Sequence, residues 1–162
     1  MSEKMNRQAL RSKSMLCEAL LGLLKDKPLP KISIQEIADK ADLSRSTFYT
    51  NFESREAVLE YFIDSKIEVI YNRIMKDNFN EEGWAGESLG DGFLDEFEKE
   101  PGLVLLMKTS ETRYLIVERM RGLHHRIYEE KLAGNVPGLN EKLVKYFIEY
   151  IAYTTFAVAN HW

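Results

Sequence analysis

The stretch Ser33-Ile34-Gln35-Glu36-Ile37-Ala38-Asp39-Lys40-Ala41-Asp42-Leu43-Ser44-Arg45-Ser46-Thr47-Phe48-Tyr49-Thr50-Asn51-Phe52 decides the fold. It opens with a capping box, in which the Ser33 hydroxyl takes the third helical amide and Glu36 reaches back to the serine. Ile34, Ile37, Ala38 and Ala41 follow at i, i+3, i+4 and i+7, the spacing of a short amphipathic helix. Asp42-Leu43-Ser44 is a tight connection, and Ser44 is an N-cap for a second short helix from Arg45 to about Asn51. Phe48 and Phe52 mark its inner side, while Arg45, Ser46, Thr47, Tyr49 and Thr50 surround the outside. Two short helices, a three-residue turn and then a long helix make the order of a helix-turn-helix.

The neighbouring segments are helical as well. Upstream, a helix runs from about Asn6 to Lys25 with Leu16, Ala19, Leu20 and Leu23 on one face. It ends before Lys27-Pro28-Leu29-Pro30, because proline excludes the helical conformation from its predecessor. Downstream, Ser54 caps a long helix to about Asp77, with Val58, Phe62, Ser65 and Val69 as one stripe, widened by Leu59, Ile63 and Ile70. Asn and Gly residues crowd 78–92, which reads as a flexible loop. Helices are then expected over 93–99, 101–108 and 113–132, and from about Leu139 onward. No alternating run makes a convincing strand. The expected fold is therefore all-α: an N-terminal three-helix helix-turn-helix domain over 1–53, then an antiparallel helical effector and dimerisation domain over 54–162.

Composition narrows the function. The 162 residues are 44% hydrophobic with 18 aromatics and 4 prolines, which is enough apolar material for a packed core. The net charge of −4 is unevenly spread: the first 50 residues hold nine Lys or Arg against six acids, +3, and the other 112 carry −7. Such an asymmetry permits a basic N-terminal face on an acidic body and so leaves a nucleic-acid partner open. The lone Cys17 forms no internal disulfide and the N-terminus has no secretory apolar run, so a cytoplasmic location is expected. Lys145 and Glu149 interrupt Leu143 to Trp162, leaving too short an apolar stretch to span a membrane. No nucleophile–base pairing, metal-ligand spacing or phosphate loop indicates an enzyme or a cofactor. The adjacent His124 and His125 point about 100° apart on a helix and so do not form the i, i+4 pair a zinc site prefers.

The outer face of the second short helix carries the functional reading. A recognition helix in the major groove needs small and hydrogen-bonding side chains near its start, so that the backbone can approach the duplex. Arginine addresses guanine edges, and serine or threonine serves either bases or phosphates. The run from Ile34 to Leu59, above all Ser44-x-x-Thr47-x-Tyr49-x-x-Phe52-x-Ser54-Arg55-Glu56-x-x-Leu59, resembles the N-terminal signature of TetR-family transcriptional regulators.

That resemblance implies a homodimer that binds a palindromic double-stranded DNA operator, as a ligand-responsive repressor in the usual case. It implies Tyr49 and Thr47 on phosphate, Arg45 and Ser46 nearest base edges, and Arg55 anchoring phosphate, with Ser33, Ser44, Thr50 and Asn51 completing the set. The family usually has lysine at position 55, often histidine at 51, and commonly a basic residue at 50. These departures bear on affinity and contacts rather than on the mode of binding.

Fourteen of the twenty residues from Leu143 to Trp162 are apolar, and such a helix needs partners on several sides. With the resemblance, this places Leu143, Phe147, Ile151, Thr155, Val158 and Trp162 in a self-complementary dimer interface. Family members generally continue into a further helix after such a segment, so a short member or a shortened chain is expected. A small-molecule effector would be met by Phe93, Phe97, Leu103, Met107, Tyr114, Val117 and Met120. A protein co-regulator bound by the C-terminal domain is the alternative partner.

Overall fold

A computed structural model describes residues 2–76, 98–109, 112–131, 133 and 140–159. Every regular element among them is helical: α1 Ser2–Leu24, α2 Ile34–Lys40, α3 Arg45–Asn51, α4 Arg55–Lys76, α5 Pro101–Lys108, α6 Arg113–Lys131 and α7 Glu141–Ala159, with one 3₁₀ turn at Leu29–Lys31. The chain divides into two compact units, Met1–Phe62 and Ile63–Trp162, which we term head and body. The boundary between these units falls inside α4. The helix expected over 93–99 and the loop over 78–92 lie outside the described residues, apart from the end of the former.

The head is three short packing problems solved by local caps. At α2, the Ser33 hydroxyl accepts the Glu36 amide at 3.2 Å and the Glu36 carboxylate accepts the Ser33 amide at 2.9 Å, so the capping box is formed. α2 ends in a Schellman motif, with the Leu43 amide on the Ala38 carbonyl at 2.9 Å and the Asp42 amide on Asp39 at 3.1 Å. That motif puts Asp42 at φ 53°, a left-handed position where short polar side chains are tolerated next after glycine. The turn reverses the chain so that α2 packs on α3, while α1 packs on both.

The head core is Leu16, Ala19, Leu20 and Leu24 of α1, Ile37 and Ala38 of α2, Phe48 of α3, Phe52, and Val58, Leu59 and Phe62 of α4. Cys17 is also buried there, and its thiol lies 3.7 Å from the Val58 carbonyl. Leu23, expected on the buried face of α1, is half-buried, and Leu24 takes the inner place.

In the body, α6 packs along α7 and α5 packs against both. Leu103, Leu106 and Met107 of α5, Ile116, Met120, Leu123 and Ile127 of α6, and Val144, Ile148 and Ala152 of α7 are buried. The second half of α4 buries Ile63, Ile67, Ile70 and Tyr71. The stripe expected through Ser65 and Val69 is thus displaced: Ser65 is exposed and Val69 is 48% exposed. Ile63 and Ile70, expected to widen the stripe, are buried, and Ile67 and Tyr71 join them in place of Ser65 and Val69.

Candidate nucleic-acid interface

α3 is held from beneath and presents its other side to solvent. Phe48 is fully buried, meets the edge of Tyr49 at 5.6 Å and an 84° interplanar angle, and lies 6.2 Å from Phe52. Phe52 in turn meets Tyr61 at 5.5 Å, and the Lys13 ammonium sits 4.6 Å from the Tyr61 ring and 5.5 Å from Phe52. This aromatic row fixes the rotation of α3 about its axis. Arg45, Ser46, Tyr49 and Thr50 consequently face outward.

The hydroxyls at the front of α3 are tied together. Ser44 Oγ accepts the Thr47 amide at 3.0 Å and lies 2.8 Å from both the Ser46 and the Thr47 hydroxyls. Thr50 Oγ1 donates to the Ser46 carbonyl at 2.9 Å, and Asn51 Nδ2 donates to the Thr47 carbonyl at 2.8 Å. Each hydroxyl that parks its proton on the helix keeps acceptor capacity and can turn to a new partner. Arg45 Nη2 donates to the Tyr49 phenol at 3.4 Å, and its guanidinium stands 5.6 Å from that ring. Tyr49 is 50% exposed, with its ring braced on Phe48 and its hydroxyl outward.

Two expected contact residues have tasks inside the head. Ser33 caps α2. Arg55, expected on phosphate, places Nη1 on the carbonyls of Leu29, Pro30 and Ile32 at 3.0, 3.2 and 2.6 Å. An ion pair that shapes this region is Lys27 with Glu36, both partly exposed. Its ammonium, followed by the Ser33 amide and hydroxyl, holds the Glu36 carboxyl well down, from an ordinary 4.5 to about 2. No local signal marks this pair, because nine residues and two prolines separate the partners.

Residues 16–62 match the family described as bacterial regulatory proteins, tetR family. The head thus carries its likeness to the tetR family over residues 16–62. Among curated relatives, the HTH-type transcriptional regulator EthR of Mycobacterium tuberculosis is 50% identical over 43 residues, 26% of this chain and 20% of that protein. The HTH-type transcriptional regulator YxbF of Bacillus subtilis is 43% identical over 47 residues, 29% of this chain and 12% of that one. The match thus spans a fifth or less of either relative's length. Among solved structures, the dihydroxyacetone kinase operon activator DhaS superposes with a TM-score of 0.61 over 93% of this chain and 82% of that chain, at 15% identity. The shared fold therefore covers residues of both the head and the helical body.

Of the residues expected around an effector, Leu103, Met107 and Met120 are fully buried and Val117 nearly so, all on α5 and α6. Tyr114 is 62% exposed and stands outside that buried set, because it falls on the solvent side of the first turn of α6. Phe93 and Phe97 lie outside the described residues. On α7, Leu143 and Phe147 are 63% and 47% exposed, whereas Ile151 is half-buried at the edge of the core face. The exposed apolar row is completed by Tyr146, Tyr150 and Tyr153 rather than by Ile151. The expected set steps through Leu143, Phe147 and Ile151 at four-residue spacing and so passes over the tyrosines, whose rings are apolar and whose hydroxyls tolerate water. α7 is therefore two-faced and not buried all round. The side chains of Thr155, Val158 and Trp162 lie outside the described residues.

His124 and His125 are separated by the body. His124 is buried and its Nδ1–H donates to the Met120 carbonyl at 2.7 Å, and burial holds its pKa below 6.5. His125 is exposed beside Glu129 at 3.3 Å. No helix among the described residues is long and apolar enough to cross a membrane.

Proposed function

We propose that this chain is a DNA-binding transcriptional regulator that reads a near-palindromic operator as a homodimer. The carrying observation is the outward face of α3, Arg45, Ser46, Tyr49 and Thr50, braced on the buried Phe48 within a tetR-family head. An arginine, two small hydroxyl side chains and a phenol suit base edges and phosphate oxygens together. Arg45 and Ser46 address bases. Thr47 and Tyr49 address phosphate, with Ser44, Thr50 and Asn51 beside them.

The exposed row Leu143, Tyr146, Phe147, Tyr150 and Tyr153 supports dimerisation through α7. Exposed apolar rows of this kind mark interaction surfaces, and a two-fold axis makes one row serve both partners. The buried methionines Met107 and Met120 support a body that repacks around a small-molecule effector, since methionine adapts its shape. Effector binding would then shift the dimer between states that differ in operator affinity. A dimer seated on its operator excludes other proteins from it, which makes repression the simplest outcome, and such a protein works in the cytoplasm.

Mobility shifts on a selected operator and a scrambled duplex test the reading. Tyr49→Ala should weaken binding to both by a similar factor, and Arg45→Ala should also relax the sequence preference, by about 1–3 kcal/mol at the base it reads. Undiminished binding by Tyr49→Ala would remove the assignment.

A further inference from the structure

Arg55 is the first residue of α4, where the helix dipole disfavours a cation. Its surroundings explain the placement. Nη1 faces three carbonyl oxygens, those of Ile32 at 2.6 Å, Leu29 at 3.0 Å and Pro30 at 3.2 Å, and Nη2 lies 3.7 Å from the Glu56 carboxylate. These carbonyls belong to the connection between α1 and α2, 23–26 residues earlier in the chain. Pro28 and Pro30 deprive that connection of two amide donors, and its own amides reach only the Pro28 and Leu29 carbonyls, from Lys31 at 3.0 Å and Ile32 at 3.1 Å. The side chains of Leu29 and Ile32 are buried in the head core. The connection is therefore gripped twice, by the core through its side chains and by one guanidinium through its backbone. Ser33, the cap of α2, comes next, and α2 carries α3 against it.

We propose that Arg55 serves DNA binding as a positioning residue, which clamps the Leu29–Ile32 connection and so sets α2 and α3, rather than as a ligand of DNA phosphate. The inference rests on the DNA-binding reading above. The two roles differ in counterion release: a cation seated on a phosphate contributes about 0.9 to the slope of log affinity against log salt, and a cation seated on carbonyls contributes nothing.

The test is Arg55→Gln in the full chain, bound to the selected operator across a salt series and well below the variant's unfolding midpoint. The expected result is binding about tenfold weaker at fixed salt, as the loss of charge-assisted hydrogen bonds predicts, with the wild-type slope retained. A slope reduced by about 0.9 per Arg55 would identify a phosphate ligand and overturn the proposal. Unchanged affinity in the folded variant would overturn it as well, leaving a purely structural contact.

A second arm uses the wild-type chain and survives a variant that fails to fold. The Arg55 guanidinium protons should exchange slowly in the DNA-free protein and shift little when operator is added. Protection that arises only with the duplex would defeat the clamp. A wild-type chain that binds no duplex at all defeats the DNA-binding reading itself, which is a separate outcome.

Discussion

Head and body are built from the same element, yet they dispose of their cations in opposite ways. In the body, arginines meet carboxylates: Arg119 with Asp64 at 2.6 Å, Arg121 with Glu149 at 3.2 Å, and Arg126 with Glu68 at 2.7 Å and Glu130 at 3.1 Å. Arg126 also lies 3.6 Å from the Tyr71 ring, and its carboxylate partners, Glu68 first, raise its pKa further. In the head, Lys13 sits over two aromatic rings and Arg45 over a phenol. A neutral partner orients a cation without cancelling its charge, whereas a carboxylate does both. Lys27 with Glu36 and Arg55 with Glu56 are exceptions, and the first serves the cap of α2. Residues 1–62 of the head hold ten Lys or Arg against nine acids, +1, and the body carries −5, with Arg119, Arg121 and Arg126 each on a carboxylate. A duplex is attracted to the first arrangement and not to the second.

The most damaging way to break this comparison is to remove the support of α3. Phe48→Ala should destabilise the head by about 3–5 kcal/mol, the cost of emptying a fully buried aromatic site. Denaturant unfolding followed through Trp-independent far-UV dichroism measures it, and operator binding should be lost in parallel. A stability loss confined to well under 1 kcal/mol would show that the aromatic row does not hold α3.

A gentler change exchanges one cation in each unit. Arg126→Gln should leave operator affinity within about twofold and the salt slope unaltered, while Arg45→Gln should cost about tenfold or more. Fluorescence anisotropy with a labelled duplex reads both, and equal effects from the two variants would erase the distinction between head and body.

The smallest expected effect lies in acid. Glu36 has its pKa lowered in the folded head, so its contribution is present above its ordinary 4.5 and is lost as pH falls towards about 2. The thermal midpoint of the wild type should therefore approach that of Glu36→Gln across this window. Parallel midpoints for the two proteins from neutral pH down to 2 would mean that the capping box and Lys27 do not hold this carboxylate.

The sequence by itself determined the local elements of the head. Ser33 with Glu36, Ser44 with Thr47, and Ser54 at the start of α4 are caps whose partners lie three residues away, and each is formed where the spacing placed it. Pro28 and Pro30 likewise end α1 by a rule about the preceding residue, and the outward set of α3 follows from the inward Phe48. Tertiary structure decided what depends on distant partners. The stripe of α4 adds Ile67 and Tyr71 to the expected Ile63 and Ile70 and omits Val69, because the rest of the body selects which side of that helix is covered. The open row of α7 runs through three tyrosines because Val144, Ile148 and Ala152 claim the other side. Arg55 takes its place from carbonyls 23–26 residues away. Backbone oxygens have no side-chain identity, so no residue pattern announces them, and only the folded chain brings them within reach of one guanidinium.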